Sequence, residues 1–316
     1  MSVEQIKKIA VMGAGLMGHG IALEFAANGY EVSLYDLNDD ILRRGLEDAR
    51  ANLAQMADAG MITAQQASAA PARMHPFTSL EQAAADADVV IEAVAEKLEI
   101  KHDVFRRLDA CCRPDTILAS NSSTLMPSKL APAVRRPERL LVAHYWNPPF
   151  LLPLVEVVGC PQTSAQAIAT MRELLAKIGK MPVVMKKEAL GFIGNRLQFA
   201  LWREALHIVD AGIASPEDVD AVVRNSFGRR LAVAGPFEVF ESGGLDVIHG
   251  ASSYLFPDLD NRKEPSPLVG QHVEKGELGI KTGKGFYRWT PESGAALRRR
   301  IADALIMLNA WARKRQ

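Results

Sequence analysis

The stretch Lys8–Asp36, "KIAVMGAGLMGHGIALEFAANGYEVSLYD", decides the fold. It opens on a short apolar run, "KIAVMG". Gly13, Gly15 and Gly18 follow at G-x-G-x-x-G spacing, with Leu16 and Met17 before the last glycine. "LMGHGIALEFAANG" then has helical periodicity and closes at Gly29, a residue suited to a helix C-cap. A second strand, "EVSLYD", ends on Asp36, 18 positions after Gly18. The glycine spacing alone is a weak signal. Strand, glycine turn, helix, strand and terminal acid together form a dinucleotide-binding fingerprint.

Each residue of that fingerprint has a physical task. Gly13 permits a tight turn, Gly15 lets the backbone approach a pyrophosphate, and Gly18 lets the helix pack close to the strand. Leu16 and Met17 lie in the same turn, and the helix start offers unpaired N–H groups to phosphate. Asp36 is suited to accept hydrogen bonds from ribose hydroxyls and to repel a 2′-phosphate. NAD is therefore expected rather than NADP. Two other readings stay open: a glycine turn without ligand, and Arg43 or Arg44 folding back onto a phosphate.

Outward from this stretch, "ADVVIEAV", "TILASNSS", "RLLVAHYW", "LVEVVG" and "MPVVMK" read as further strands. "DDILRRGLEDARANLAQMADAG", "LEIKHDVFRRLDACC" and "SAQAIATMRELLAKIG" read as helices. Thr63 and Gln66 have capping-box spacing. This alternation predicts an α/β domain with a largely parallel, Rossmann-like sheet covered on both faces. After about Lys187 the pattern becomes helical. "LGFIGNRLQFALWREALHIVDAG" reads as one long, centrally buried helix, with Arg196, Arg203, His207 and Asp210 on a polar stripe. Ser215 and Pro216 mark another helix start. The expected domains are 1–187, α/β and NAD-binding, and 188–316, all-helical.

The composition sets limits. Of 316 residues, 37 are Lys or Arg and 37 are Asp or Glu, so no basic field points to nucleic acid or an anionic membrane. No run is long and apolar enough to span a bilayer. The N-terminus enters a strand almost at once, leaving no room for a signal peptide. Cys111, Cys112 and Cys160 form no disulfide framework and no zinc-ligand spacing. A reduced, cytoplasmic protein without a metal is expected.

Within "VAHYWNPPFLLPLVEVVG" (Val142–Gly159), His144 and Glu156 are ionisable residues in apolar strands. Across the proline-containing connection they can come side by side, and Pro148, Pro149 or Pro153 suits a cis bond. A histidine held by a carboxylate suits proton abstraction from an alcohol. A satisfied core pair remains the other reading.

"SNSSTL" (Ser120–Leu125), "AHYWNPP" followed by "LVEVV", "GFIGNRL" (Gly191–Leu197) and "LGIKTGKGFY" (Leu278–Tyr287) occur in one order. With "GAGLMG" and "VIEAVAEKLEIK" they span nearly the whole chain and resemble the 3-hydroxyacyl-CoA dehydrogenase family. The resemblance implies a Rossmann-like NAD domain, a helical substrate and dimerisation domain, a homodimer, and an active site between the domains. It implies His144 as base, Glu156 as its electrostatic partner, Ser123 as a hydroxyl on the substrate oxygen near the nicotinamide, and Asn195 as the asparagine completing the site. Asn147 resembles a nicotinamide-side contact, Glu96 and Lys101 residues around the nicotinamide ribose, and Lys281 a lysine reaching back from a C-terminal loop. Each has a plainer alternative where the residues themselves offer one: Ser123 as N-cap of a helix near Pro127, Asn195 as a helix-packing hydrogen bond, and Lys281 as a surface residue. Asn195 also lies on the side of its helix that carries Phe199, Trp202 and Leu206.

One departure bears on the substrate. Coenzyme A in this family is met by a serine and a lysine in the helix hairpin after Asp36; here those positions fall near Asn52 and Ala59. "NLAQMADAGMITAQQASAA" contains neither lysine nor arginine, although phosphate groups favour such partners. "LMPSKL", "VAHYWNPPFLLPLVEVV" and "FALWREALHIVDAGIASPEDVD" look more like the branch with L-gulonate 3-dehydrogenase/lambda-crystallin, carnitine dehydrogenase and pyridine-carboxylate 5-dehydrogenase. Tyr145 and Trp146 either shape a pocket for a smaller substrate or pack in the domain interface. The expected activity is NAD-dependent oxidation of a 3-hydroxy acid or thioester, leaning to a small free 3-hydroxycarboxylate. The alternatives are an L-3-hydroxyacyl-CoA dehydrogenase of fatty-acid metabolism and a non-catalytic NAD-binding sensor or crystallin-like protein.

Overall fold

The computed structural model describes residues 2–314. Its sheet contains β1 (Lys8–Met12), β2 (Glu31–Tyr35), β3 (Met74–Phe77), β4 (Val89–Glu92), β5 (Ile117–Ser120), β6 (Leu140–Tyr145), β7 (Leu154–Val158) and β8 (Met181–Val184). The order across it is β3-β2-β1-β4-β5-β6-β7-β8. The first six strands pair in parallel, as in a doubly wound dinucleotide fold. β7 then runs antiparallel to β6, and β8 runs parallel to β7. β4, β5 and β6 are buried at every position, which explains why their sequences are continuous apolar runs rather than alternating ones.

The seven strands expected from the sequence are present. The eighth, β3, has the sequence Met-His-Pro-Phe, and only Met74 is buried. It lies at one edge, where Pro76 removes a donor that an interior strand would need. The opposite edge, β8, also carries a proline, Pro182. Helix Gly18–Ala27 is wholly buried, and helix Asp39–Asp58 ends just before Gly60, whose φ is +66°. Thr63 and Gln66 form the expected capping box, and Ser215 caps helix Pro216–Asn225.

The chain divides into two compact units: Met1–Asn195 with Leu305–Gln316, and Arg196–Ala304. The second unit is helical, with isolated β-bridges at Gly279, Lys284 and Arg288. The last residues of helix Pro291–Arg313 belong to the first unit. There the Asn309 amide donates to Leu151 O at 2.8 Å, and Arg313 donates to Gly60 O and Met61 O, each at 2.9 Å. Among the described residues no helix is long and apolar enough to cross a membrane.

The long helix differs from its sequence reading in two ways. It spans Gly194–Asp210, because Gly191 and Phe192 both have positive φ (76° and 51°) and form a turn ahead of it. Phe192 is fully buried, and that packing offsets the strain of a left-handed aromatic residue. The helix is also not buried centrally: Leu206 is its one buried residue, while Phe199 is 64% and Trp202 44% exposed. An apolar face in sequence identifies a surface to be covered, without saying that this chain covers it.

Candidate active site

The glycine turn follows β1 and leads into helix Gly18–Ala27. Gly13 has φ +108°, and a Cβ there would lie 2.7 Å from Ala93 O. A Cβ on Gly18 would lie 1.7 Å from Gly13 O, so only glycine permits this packing. Gly15 differs: nothing lies within 4 Å of its Cβ position. The space above its backbone is open, as the approach of a pyrophosphate requires. Asp36 accepts from Ala14 N and Leu37 N, both at 2.7 Å, and is held beside the turn. Arg43 is paired with Glu47 at 3.1 Å. Leu16 is exposed, and Met17 lines the adjoining cleft. These features fit a dinucleotide whose ribose meets an acid.

β6 and β7 place His144 directly opposite Glu156. His144 Nδ1 lies 2.8 Å from Glu156 Oε2, and both side chains are buried. A carboxylate can only accept, so Nδ1 carries the proton and Nε2 is left as the basic nitrogen. Oε1 of Glu156 accepts from Ile193 N at 2.8 Å and Gly194 N at 3.0 Å. The carboxylate therefore caps helix Gly194–Asp210, where backbone donors and the helix dipole both favour negative charge. Burial pushes its pKa up, but the His144 bond and those two backbone bonds outweigh burial and hold it below the ordinary value. The rings of Trp146 and Phe192 each lie 5.5 Å from the imidazole.

A second carboxylate organises the serine loop. Glu96 Oε1 accepts from the Ser122 hydroxyl, from Ser123 N and Thr124 N at 3.1 Å each, and from the Thr124 hydroxyl at 2.9 Å. Burial raises its pKa, but Ser122, Lys101 and Thr124 together leave it lowered. Lys101 is buried between Glu92 at 2.6 Å and Glu96 at 3.2 Å. Ser123 carries no hydroxyl hydrogen bond among the described residues, and Met126, not Ser123, occupies the N-cap position of helix Pro127–Leu130. The Asn195 amide donates to Ser123 O at 3.2 Å.

Ser123, His144, Asn147, Glu96, Lys101 and Met17 thus line one cleft of about 320 Å³, with Trp146 beside them. Glu156 stands behind His144, and Asn195 joins through the Ser123 carbonyl. Gly13 backs onto Ala93, which lines the same cleft. The Asn147–Pro148 bond is cis. Lys281 lies in the other unit, exposed in a turn between Gly279 and Gly283.

Sequence reasoning missed three contributors, Glu92, Asn121 and Phe192; it placed Trp146 in the pocket or the interface without its bond to Glu156. Asn121 accepts from Tyr145 N at 2.9 Å. Glu92 left a readable signal, since a carboxylate closes an otherwise apolar strand at the carboxyl edge of the sheet, where ligands bind. The others depend on contacts made only in the folded chain.

Comparison with known proteins shows the family and the fold. The model of the 3-hydroxyacyl-CoA dehydrogenase NAD binding domain matches residues 8–189, and that of the family's C-terminal domain matches 191–289. A 5-formyl-3-hydroxy-2-methylpyridine 4-carboxylate 5-dehydrogenase of Mesorhizobium japonicum is 38% identical over 305 residues, covering 95% of this chain and 96% of the relative. A probable 3-hydroxybutyryl-CoA dehydrogenase of Bacillus subtilis is 36% identical over 284 residues, covering 90% of this chain and 97% of the relative. A solved structure of a 5-formyl-3-hydroxy-2-methylpyridine 4-carboxylic acid 5-dehydrogenase, described as an NAD+-dependent dismutase, superposes with a TM-score of 0.91. It is 35% identical and covers 96% of this chain and 98% of its own.

Proposed function

The chain belongs to the 3-hydroxyacyl-CoA dehydrogenase family and is an NAD-dependent oxidoreductase; on that premise we propose that His144 is the general base acting on a small free 3-hydroxycarboxylate. Nε2 takes the hydroxyl proton, and Glu156 fixes the tautomer and stabilises the resulting imidazolium. Ser123 and Asn195 hold the oxygen that becomes a carbonyl. Bound NAD would supply the acceptor for the hydride released when the carbinol C–H bond breaks. Gly13, Gly15, Leu16, Met17, Gly18 and Asp36 are assigned to the cofactor, with Glu96, Lys101, Ser123 and Asn147 on its nicotinamide side and Lys281 as a contact from the C-terminal loop. We assign 1–187 to NAD binding and 188–316 to substrate binding and dimerisation, in a cytoplasmic homodimer.

The observation that carries the chemistry is the buried His144–Glu156 pair facing the cleft. Two features support a free acid. The stretch 52–70 has no cation. Asn52, near the expected coenzyme A contact, instead bonds His19 Nε2 at 3.0 Å, while His19 Nδ1 meets Gly15 O at 2.9 Å. The B. subtilis relative favours a second reading, a 3-hydroxyacyl-CoA of fatty-acid metabolism.

A kinetic panel of acetoacetyl-CoA, L-gulonate, carnitine and 3-hydroxybutyrate separates the two. Efficient turnover of acetoacetyl-CoA alone excludes the free-acid reading. His144→Gln is expected to lose about 10²- to 10⁴-fold in kcat while retaining NADH binding. Wild-type kcat in that variant excludes His144 as the base.

A further inference from the structure

The indole of Trp146 has a contact that the base–carboxylate pair does not require. Its Nε1 lies 3.3 Å from Glu156 Oε2, the same oxygen that meets His144 Nδ1. Indole nitrogen is a donor only, so this is a second N–H on that oxygen. Glu156 thus receives four donors: His144 and Trp146 on Oε2, Ile193 N and Gly194 N on Oε1. The ring is also fitted in place. A Cβ on Gly194 would lie 2.3 Å from Trp146 Cζ2, so glycine at the helix start leaves the space the indole fills. Trp146 lines the cleft beside His144.

We propose that Trp146 is a positioning residue for the base: its indole N–H shares Glu156 Oε2 with His144 and draws part of the carboxylate charge away from the imidazole. The proposal rests on His144 acting as the base. A hydrogen bond to a carboxylate stabilises its charge and weakens what that charge offers a neighbouring cation. Removing the indole donor therefore concentrates the charge on His144 and favours imidazolium. The other ionisable groups lining the cleft are Glu96, Lys101 and Tyr145. Glu96 and Lys101 are paired with each other, and Lys101 is further held by Glu92. The Tyr145 phenol is kept neutral by burial and by the charge of Glu24. Glu156 therefore supplies the direct charge on His144, and Trp146 modulates it.

The test is Trp146→Phe, which keeps an aromatic ring and deletes the donor. Gly194→Ala is a second variant that displaces the indole without changing it. Isotope-edited NMR titration of His144 is read beside pH profiles of kcat/KM in both reaction directions, with circular dichroism as a check of folding. In both variants the His144 titration should rise by roughly half a unit to one unit, and oxidation below the limb should slow about three- to tenfold. The reduction profile should move to higher pH by the same amount, because His144 is then the acid. A folded Trp146→Phe protein whose His144 titrates at the wild-type position overturns the proposal, whether or not kcat falls, because the indole then only fills space. His144→Gln separates the two layers: full turnover in that variant defeats the assignment of the base, whereas an unshifted Trp146→Phe titration defeats only the role of the indole.

Discussion

Gly13, Gly15 and Gly18 look equivalent in the sequence, yet their surroundings give them different tasks. A methyl group on Gly18 meets Gly13 O at 1.7 Å, whereas one on Gly15 meets nothing within 4 Å. Gly18→Ala should therefore destabilise the apo protein by about 2 kcal/mol or more, as overpacking and backbone displacement do. Gly15→Ala should leave apo stability within about 0.5 kcal/mol but weaken NADH binding, because the methyl group occupies the open side of the turn. Thermal unfolding without ligand and fluorescence titration with NADH check both. Equal loss of apo stability in the two variants contradicts the division of labour. The spacing itself was legible because it is local and its geometry is dictated by a few backbone angles. The two NH groups that meet Asp36 were not, since the sequence shows an acid at a strand end without showing which donors it finds.

At the scale of elements, periodicity revealed β1, β2 and β4 to β8, and it failed where tertiary contact decides. β3 is short, and its proline hides a strand that only an edge position tolerates. The turn before helix Gly194–Asp210 was read as helix because its strain is offset by burying Phe192 beside His144. The pairing of His144 with Glu156 was legible as an antiparallel return, but the helix start that completes the site was not. Helix Gly18–Ala27 carries another buried acid. Glu24 pairs with Lys180, which also donates to Pro149 O and Leu152 O in the β6–β7 connection. Glu24 Oε2 has no partner among the described residues. Burial, opposed by the charge and hydrogen bond of Lys180, pushes the Glu24 carboxyl from 4.5 up to about 7. Between those values the folded chain holds a proton that the unfolded chain has lost. Stability is therefore greatest below the unfolded value and falls as pH rises toward 7, by roughly 3 kcal/mol from this group. Glu24→Gln should flatten that part of the stability–pH curve while leaving stability near pH 4 close to wild type. Denaturant unfolding at a series of pH values checks it, and an unchanged slope shows that Glu24 is already ionised across the range.

For the whole molecule, the two units carry different kinds of information. The α/β unit declares itself through local patterns, since its central strands and helix Gly18–Ala27 are buried against partners in the same chain. The helical unit does not complete its own apolar faces. Phe199, Trp202 and Val222 are 64%, 44% and 60% exposed, and Phe199 and Trp202 line a groove of about 990 Å³ with Val219, Val223 and Phe286. A contiguous apolar surface of this kind is characteristic of an interface between chains. The homodimer proposed above would account for it: a second copy would supply the layer that the apolar face of helix Gly194–Asp210 lacks in one chain. Phe199→Asp places a charge on that surface while removing little packing within the chain. Light scattering coupled to gel filtration should find the wild type at twice the chain mass and the variant at the chain mass, with far-ultraviolet circular dichroism unchanged. A wild-type protein that runs as a monomer at micromolar concentration refutes the dimer. A variant that stays dimeric places the interface on another face.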